Sequence, residues 1–522
     1  MPSRAALGID LGTSSVKTVV TDPASGAVLA QASVAYPVRS PQPGQAETDP
    51  ADWWDAVGRC VREAVAASGA QPDAIGLSGQ MHGLVLCDAR AVPVRPAMLW
   101  ADMRAVAEIG RFHELSREHR ARLANPLTPG MPGPMLVWVA AHQPEVYARA
   151  RWALQPKDWL RARLTGGIMA EPSDASATLL YDLPADDWDR ELIETLGLRA
   201  DLLAPLLPSS AALAGALSDT AASHLGVPAG TPVAAGAGDA AAAALGSGLA
   251  DPSQVQLTVG TGAQVVRPQP SPLDLSAAGV HLYRSAYGAP ATAGSATPAG
   301  VGAAAGWYHM GACTNAGIAL TWVREILGMS WSQLYASLDE PVRPDDPMFI
   351  PHLTGERTPY VEPGLRGSWT ALALGHDRTA LARSALVGVA FAITDTYRAL
   401  IDAGAGDSAP KSAGPSGANR DPADATLRVA GGGTMSPAWR QLLADITGCA
   451  LYALDCPDAS GRGAALLGAQ AAGSVTTEEI IGRLAPQVSL VAEPADGSAR
   501  SLLADRYQQF RERIQLLGGA QP

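Results

Sequence analysis

Two stretches of this 522-residue chain share one pattern of apolar and polar positions. Residues 7–22 read LGIDLGTSSVKTVVTD, and residues 255–266 read VQLTVGTGAQVV. Each is an apolar run, a Gly-Thr turn with small neighbours and a second apolar run, so each predicts a β-hairpin. Gly12-Thr13 and Gly260-Thr261 fall at matching places, which predicts two related lobes facing each other across a cleft. Turns without bulky side chains let backbone N–H groups approach an anion, and threonine hydroxyls add donors. The pair reads as a split phosphate clamp.

The same patterning predicts alternating strands and helices in each half. In the first half strands are expected at 6–10, 16–21, 27–34, 74–78 and 83–88. A helix is expected at 50–67, with Asp49 as N-cap and Pro50 at the first helical position. Helical stretches follow at 101–123, 135–146 and 158–164, then a strand at 232–237 and an Ala-rich helix after Asp239. The second half repeats the plan: the hairpin, helices at 316–327 and 378–403, a strand at 427–430, a helix at 437–447, a strand at 450–453 and a helix at 462–472. This order predicts mixed α/β lobes. The boundary is expected at 248–254, dividing the chain into domains 1–250 and 251–522. Residues 404–424, rich in Gly, Pro, Ser and Ala, read as a mobile insertion.

Length then calls for two large cores rather than one. Hydrophobic content is 47% and the formal net charge is −12, with a mean hydropathy of +0.06. The negative charge argues against nucleic acid or an anionic membrane surface as a partner. No run of eighteen apolar residues is free of charge, and residues 1–6 lead directly into a strand with no secretory pattern. A cytoplasmic location is therefore expected. The five cysteines are scattered and form no C-x-x-C pair, so neither a disulfide framework nor a zinc site is expected. The chain has only three lysines, Lys17, Lys157 and Lys411.

Five segments carry candidate chemistry. Asp10 stands mid-strand before the first Gly-Thr turn, where an unpaired carboxylate would be costly. It reads either as a Mg²⁺ ligand acting through water or as a turn aspartate bonded to backbone amides. In SGQMHG (78–83), glycines flank Gln80, Met81 and His82. Gln80 and His82 have the groups to bind sugar hydroxyls, although a lone histidine equally suits a core position. In LWADMR (99–104), the Trp100 face can stack on a sugar beside Asp102 and Arg104. In AGAGD (235–239), a strand ends in a Gly-rich turn with one acid, a place where α/β sheets bind ligands. Asp239 reads as a base toward a substrate hydroxyl, as a helix N-cap, or as both. In AGGGTMSPAWR (430–440), three glycines before a helix let backbone lie flat against a nucleotide. An ATP-using phosphotransferase is the first hypothesis.

In order, these motifs resemble the FGGY family of carbohydrate kinases, and within it the xylulokinases. The likeness runs almost the whole chain: GIDLGTSSVK, GQMHG, LWADMRA, PKDWLRARLTG, SDASATLLYD, AGAGD, LTGERTP, GGGTMSPAWRQLLAD and GRGAALLGA. It implies two actin/ribonuclease-H-like domains with a catalytic cleft between them. It implies transfer of the ATP γ-phosphate to a ketopentose hydroxyl, D-xylulose by the GQMHG loop, with Mg²⁺ as cofactor. By that likeness Asp239 is the general base and also lies by the metal. Asp10 lies by metal and phosphates, Met81 and His82 touch the sugar, and Gly12, Thr13 and Lys17 form the first phosphate motif. Gly260, Thr261, Gly317, Gly432 and Gly433 line the nucleotide site. The partners implied are sugar and ATP, with room for a homodimer. The chain departs from the family at Gly260-Thr261-Gly262-Ala263, where Gly-Thr-Ser-Gly is usual. It also departs at Met135, where lysine is usual, and in the Gly/Ala-rich stretch 288–306. Two rivals are a kinase for another ketose or polyol, and an actin- or chaperone-like ATP switch. GQMHG and AGAGD argue against the switch.

Overall fold

The computed structural model describes residues 4–270, 279–287, 305–403, 426–495 and 497–518. The insertion expected at 404–424, and all but the last two residues of 288–306, lie outside the described residues.

Each half is built on a mixed sheet of the same topology. In the first, Ala5–Leu11 forms a hairpin with Ser15–Thr21, which pairs antiparallel with Val28–Ala35. On its other side Ala5–Leu11 pairs parallel with Pro72–Gly79, which in turn pairs parallel with Pro232–Ala234. In the second, Gln254–Val259 forms a hairpin with Ala263–Gln269, which pairs antiparallel with Trp307–Cys313. Gln254–Val259 also pairs parallel with Thr426–Ala430, and that strand with Leu451–Leu454. The five central strands thus run 3-2-1-4-5 in both sheets, the ribonuclease-H-like order. The two Gly-Thr turns are the tips of equivalent hairpins. Asp10 and Thr258 stand at equivalent places, each two residues before the turn glycine, so only the first lobe carries an acid there.

Sequence patterning places most elements within a few residues. The helix Pro50–Ser68 starts as expected, with the Asp49 carboxylate accepting from Ala51 N–H at 2.9 Å. Pro437–Thr447 and Arg378–Ala403 have the expected bounds. Three expectations differ. The helix expected at 101–123 is two short ones, Ile109–His113 and Arg117–Leu123. The Asp102 carboxylate accepts from Arg104 N–H at 3.0 Å and Ala46 N–H at 2.8 Å, and such local bonds compete with helix. The helix expected at 135–146 spans Pro132–His142 and restarts at Pro144–Arg149, because Pro144 has no N–H to continue the ladder. The strand expected at 232–237 breaks at Gly236, whose φ is +82°. It resumes as Ala237–Gly238 beside Pro72–Gly79.

The helix Ala459–Ala471 joins the halves. It follows the second sheet in the chain yet packs on the first, where glycines allow backbone to meet backbone. A Cβ on Gly8 would lie 2.0 Å from the Gly461 carbonyl oxygen, and one on Gly76 1.8 Å from that of Ala464. One on Gly463 would lie 1.9 Å from that of Ala242. Apolar residues of this helix and of the helix Asp239–Gly246 share one core with Tyr283, Tyr308 and Met310 of the second sheet. Among the described residues one helix, Arg378–Ala403, is long and apolar enough to cross a membrane. Its most apolar window is 83% buried inside the second lobe.

Candidate active site

The carboxyl ends of Ala5–Leu11, Pro72–Gly79 and Ala237–Gly238 meet, and the first lobe's candidate residues gather there. Asp10 pairs with Ser78 in the parallel register, and the Ser78 hydroxyl donates to its carboxylate at 2.9 Å. Burial, the largest influence, holds the Asp10 carboxyl above its ordinary range against that hydrogen bond and the Lys17 charge. The turn after it is braced from two sides: the Tyr36 hydroxyl and the Gln80 side-chain amide both donate to the Gly12 carbonyl, the amide at 3.0 Å. The Trp100 indole N–H donates to the Thr13 hydroxyl at 2.9 Å. Lys17 leaves the turn and pairs with Asp458 of the second half at 2.5 Å.

The Gly79–Gly83 loop folds under this turn. Gln80, Met81 and His82 are all buried. Met81 lies against Gly238, where a Cβ would sit 2.8 Å from its side chain. His82 adopts φ +66°, uncommon for a side chain of its size. That conformation is held by two bonds. Its N–H donates to Gln155 Oε1 at 3.0 Å, and Nδ1 lies 2.8 Å from the Ala177 carbonyl oxygen. A carbonyl can only accept, so Nδ1 carries the proton and Nε2 is the acceptor. Nε2 lies 3.5 Å from the Tyr283 hydroxyl, long enough to leave it open to a better donor. Burial pushes the His82 pKa down to about 4, so the ring is neutral at physiological pH.

Asp239 is the first residue of the helix Asp239–Gly246, and Gly238 is the N-cap. Among the described residues its carboxylate makes one hydrogen bond, accepting from Ala240 N–H at 2.7 Å. Burial, with the Asp10 charge second, raises its pKa to about 7. Behind it lies a buried ion cluster: Lys157 Nζ is 2.6 Å from Asp158, 3.3 Å from Glu171 and 3.5 Å from Asp174. Ser173 Oγ, bonded to Glu171, accepts from Gly238 N–H at 3.0 Å. This cluster fixes the turn that presents Asp239. Lys157 and Asp158 come from PKDWLRARLTG and Asp174 from SDASATLLYD, with Glu171 between the two segments.

Two candidates are placed differently from the rest. The Asp102 carboxylate is fully buried and occupied by Arg104, Ala46 N–H and Arg104 N–H. It shapes the turn that carries Trp100 rather than facing the cleft. Trp100 itself is 37% exposed and borders a cavity of about 1,120 Å³ between residues 100–130 and residues 314–363.

In the second lobe the candidate glycines cluster at the matching strand ends. A Cβ on Gly317, which opens the helix Gly317–Ile326, would lie 2.2 Å from the Gly260 carbonyl oxygen. The Thr261 carbonyl accepts from Ile318 N–H at 2.8 Å. Gly431 has φ +90° and Gly433 lies on Val259, while Gly432 faces open space. A Cβ on Gly262 would come 2.9 Å from the Cys313 carbonyl oxygen, which accounts for glycine at that departure. Tyr283, His281 and Arg357 were missed by sequence reasoning. Tyr283 and His281, two apart on the strand His281–Arg284, bond to each other at 2.8 Å. Their strand carries no motif, so only folding brings them to His82.

The donor set fits a magnesium ion held mainly by water and phosphate. Asp10 and Asp239 are close enough for one to raise the other's pKa. Among the described residues no group of three or more His, Cys, Asp or Glu side chains forms a complete cage. Mg²⁺ typically takes one or two carboxylates and keeps the rest of its shell.

Comparison with known proteins gives consistent results. Residues 5–246 match the N-terminal domain of the FGGY family of carbohydrate kinases, and residues 256–472 the C-terminal domain. The chain is 31% identical to the xylulose kinase of Escherichia coli (strain K12) over 516 residues, 98% of this chain and 99% of that one. A solved structure of a xyloylose kinase from Brucella ovis superposes with a TM-score of 0.86 at 32% identity, covering 99% of this chain and all of the other. A gluconate kinase from Lactobacillus acidophilus shares the fold, with a TM-score of 0.85 at 23% identity over 99% of both chains.

Proposed function

The chain belongs to the FGGY family of carbohydrate kinases, and on that premise we propose that it phosphorylates D-xylulose to D-xylulose 5-phosphate. The observation that carries this reading is the seat of the GQMHG loop. Met81 lies on the residue before Asp239, and the adjacent His82 turns its acceptor nitrogen toward the Tyr283 hydroxyl. Its likeness over nearly the whole chain to the E. coli xylulose kinase supports the choice of sugar.

The residues divide the work as follows. His82 Nε2 accepts from a sugar hydroxyl, and Gln80 and Trp100 hold the first phosphate turn in place through Gly12 and Thr13. The primary hydroxyl attacks the γ-phosphorus, its proton passes to Asp239, and ADP leaves. A carboxylate with a pKa of about 7 is a stronger base than an ordinary one and still half ionised at neutral pH. Gly12, Thr13, Gly260 and Thr261 hold phosphates from opposite lobes, while Gly317, Gly432 and Gly433 admit the nucleotide. Lys17 serves through its pair with Asp458 on the phosphate side of the cleft. Asp10 and Asp239 would hold Mg²⁺ through water, and the ion would supply charge neutralisation for the phosphates. Water is excluded when the lobes close.

Coupled ADP release across pentuloses, hexuloses and polyols tests the proposal. D-xylulose should give the highest kcat/KM. A polyol or hexulose turned over more than about tenfold better would move the specificity elsewhere in the family. ADP release indifferent to sugar would fit an ATP switch instead.

A further inference from the structure

The cleft holds two half-buried carboxylates, Asp10 and Asp239, and must receive the most highly charged part of ATP. Several of the cations in its motifs are paired with acids. Lys17 is paired with Asp458, Lys157 with Asp158, Glu171 and Asp174, and Arg104 with Asp102 and Glu47. Arg357 differs. Its guanidinium makes no hydrogen bond or ion pair among the described residues, although burial disfavours its charge and holds its pKa below the ordinary value. Arginine is seldom left so without a purpose, since a desolvated unpaired charge is expensive.

The loop that carries it, LTGERTP, is anchored in the second lobe by its other charged residue. The Glu356 carboxylate accepts from Thr314 N–H at 2.6 Å, Arg357 N–H at 2.8 Å and His352 Nδ1 at 3.1 Å. Glu356 therefore turns inward, while the Arg357 side chain reaches the opposite lobe. Its guanidinium carbon sits 5.2 Å from the centre of the Trp100 ring. That indole donates to Thr13 in the phosphate turn. The same charge also acts on Tyr283, His82 and His281. Arg357 thus lies on the Trp100 face that braces the first phosphate turn, and its charge is felt at the Tyr283–His281–His82 group.

We propose that Arg357 is a catalytic residue of the second lobe whose guanidinium binds the oxygens of the phosphoryl group in transfer. The assignment rests on the kinase reading above. In that step a bond forms between the sugar oxygen and the γ-phosphorus. The bond from that phosphorus to the β–γ bridging oxygen breaks, its electron pair leaves with ADP, and the hydroxyl proton goes to Asp239. Negative charge spread over the moving oxygens is what a fork of N–H donors stabilises. The guanidinium rests on the Trp100 face, which attracts a cation without neutralising it.

The test compares the parent with Arg357→Gln and Arg357→Lys, using whichever sugar of the panel the parent turns over fastest. Arg357→Gln should lower kcat about 10²–10³-fold, the range for losing one preorganised donor to transition-state charge. Its KM for sugar should stay within about threefold of the parent, which marks an interaction made only in the transition state. Affinity for ADP with aluminium fluoride and sugar, a mimic of the transferring group, should fall by a similar factor. Arg357→Lys should recover part of kcat, and both variants should melt with the parent. A raised KM with kcat intact would make Arg357 a sugar ligand and overturn the proposal. Unchanged kinetics, or an equal loss of mimic and plain ADP affinity, would also overturn it. If Arg357→Gln is unstable, Arg357→Lys decides: parental kcat in that variant counts against a bidentate role. A parent inactive on every sugar would instead defeat the kinase reading, a separate result.

Discussion

Asp239 carries two residue-scale forecasts that pull apart. As the base it should be irreplaceable: Asp239→Asn should bind ATP and sugar yet transfer phosphate at least ~10²-fold more slowly. As a helix-end residue it should be replaceable, because Asn suits helix starts as well as Asp. The structure already weakens the second role, since Gly238 is the N-cap and, among the described residues, the carboxylate accepts only from its neighbour's N–H. The raised pKa adds a stability forecast. With a folded pKa of about 7 against an ordinary 3.8, the folded state keeps a proton that the unfolded state has released. The parent therefore loses stability as pH rises from about 4 to about 7, and above 7 bears the full cost. Without divalent cations, Asp239→Asn should melt above the parent at pH 8, by roughly 1–3 kcal/mol once partial exposure is allowed for. The gain should shrink steadily toward pH 4. A pH-independent difference would mean that Asp239 is not desolvated.

At the scale of elements, the crossing of Ala459–Ala471 over the first sheet is the contact least tolerant of added atoms. Gly76→Ala would put a methyl carbon 1.8 Å from the Ala464 carbonyl oxygen. Helix and strand would have to separate, breaking the packing that joins the halves. We expect Gly76→Ala to cost at least the ~1–3 kcal/mol of a typical overpacked core, seen as a lowered melting temperature or loss of soluble protein. Gly110→Ala is the control: it lies in the short helix Ile109–His113 with open space around its Cβ position. It should be neutral or stabilising by about 0.5–1 kcal/mol, because alanine is the better helix former. Equal effects of the two substitutions would mean that the crossing is looser than drawn.

For the whole molecule, the two phosphate turns sit on opposite sheets, and the Trp100–Arg357 and Lys17–Asp458 contacts span the two halves. A sugar kinase must keep water from the γ-phosphate until an acceptor is bound. Sugar with a non-hydrolysable ATP analogue should therefore contract the particle, by small-angle scattering, more than either ligand alone. The sugar-free ATPase rate should stay at least about 10²-fold below the kinase rate. An unchanged radius of gyration together with a fast sugar-independent ATPase would contradict closure as the gate.

The sequence by itself determined the two-lobed plan. Hairpins, caps and glycine turns are local, and local chemistry repeats legibly: apolar runs on either side of Gly12-Thr13 and Gly260-Thr261 predict strands wherever they stand. It also determined the residues gathered at the strand ends, because Asp10, His82 and Asp239 are polar groups set inside apolar or glycine-rich motifs. Failures came where distant side chains compete with the local preference. Asp102 turned an apparent helix into a turn by bonding Ala46, fifty-six residues away. The tertiary structure alone decided which charges are free. Lys17 stands in a phosphate motif but is neutralised by Asp458, whereas the Arg357 guanidinium makes no ion pair among the described residues. Pairing depends on which side chains long-range packing brings within a few ångströms, and spacing along the chain does not encode it. The seam of Gly8, Gly76 and Gly463 was likewise invisible, since a glycine that admits a backbone looks in sequence like one that makes a turn.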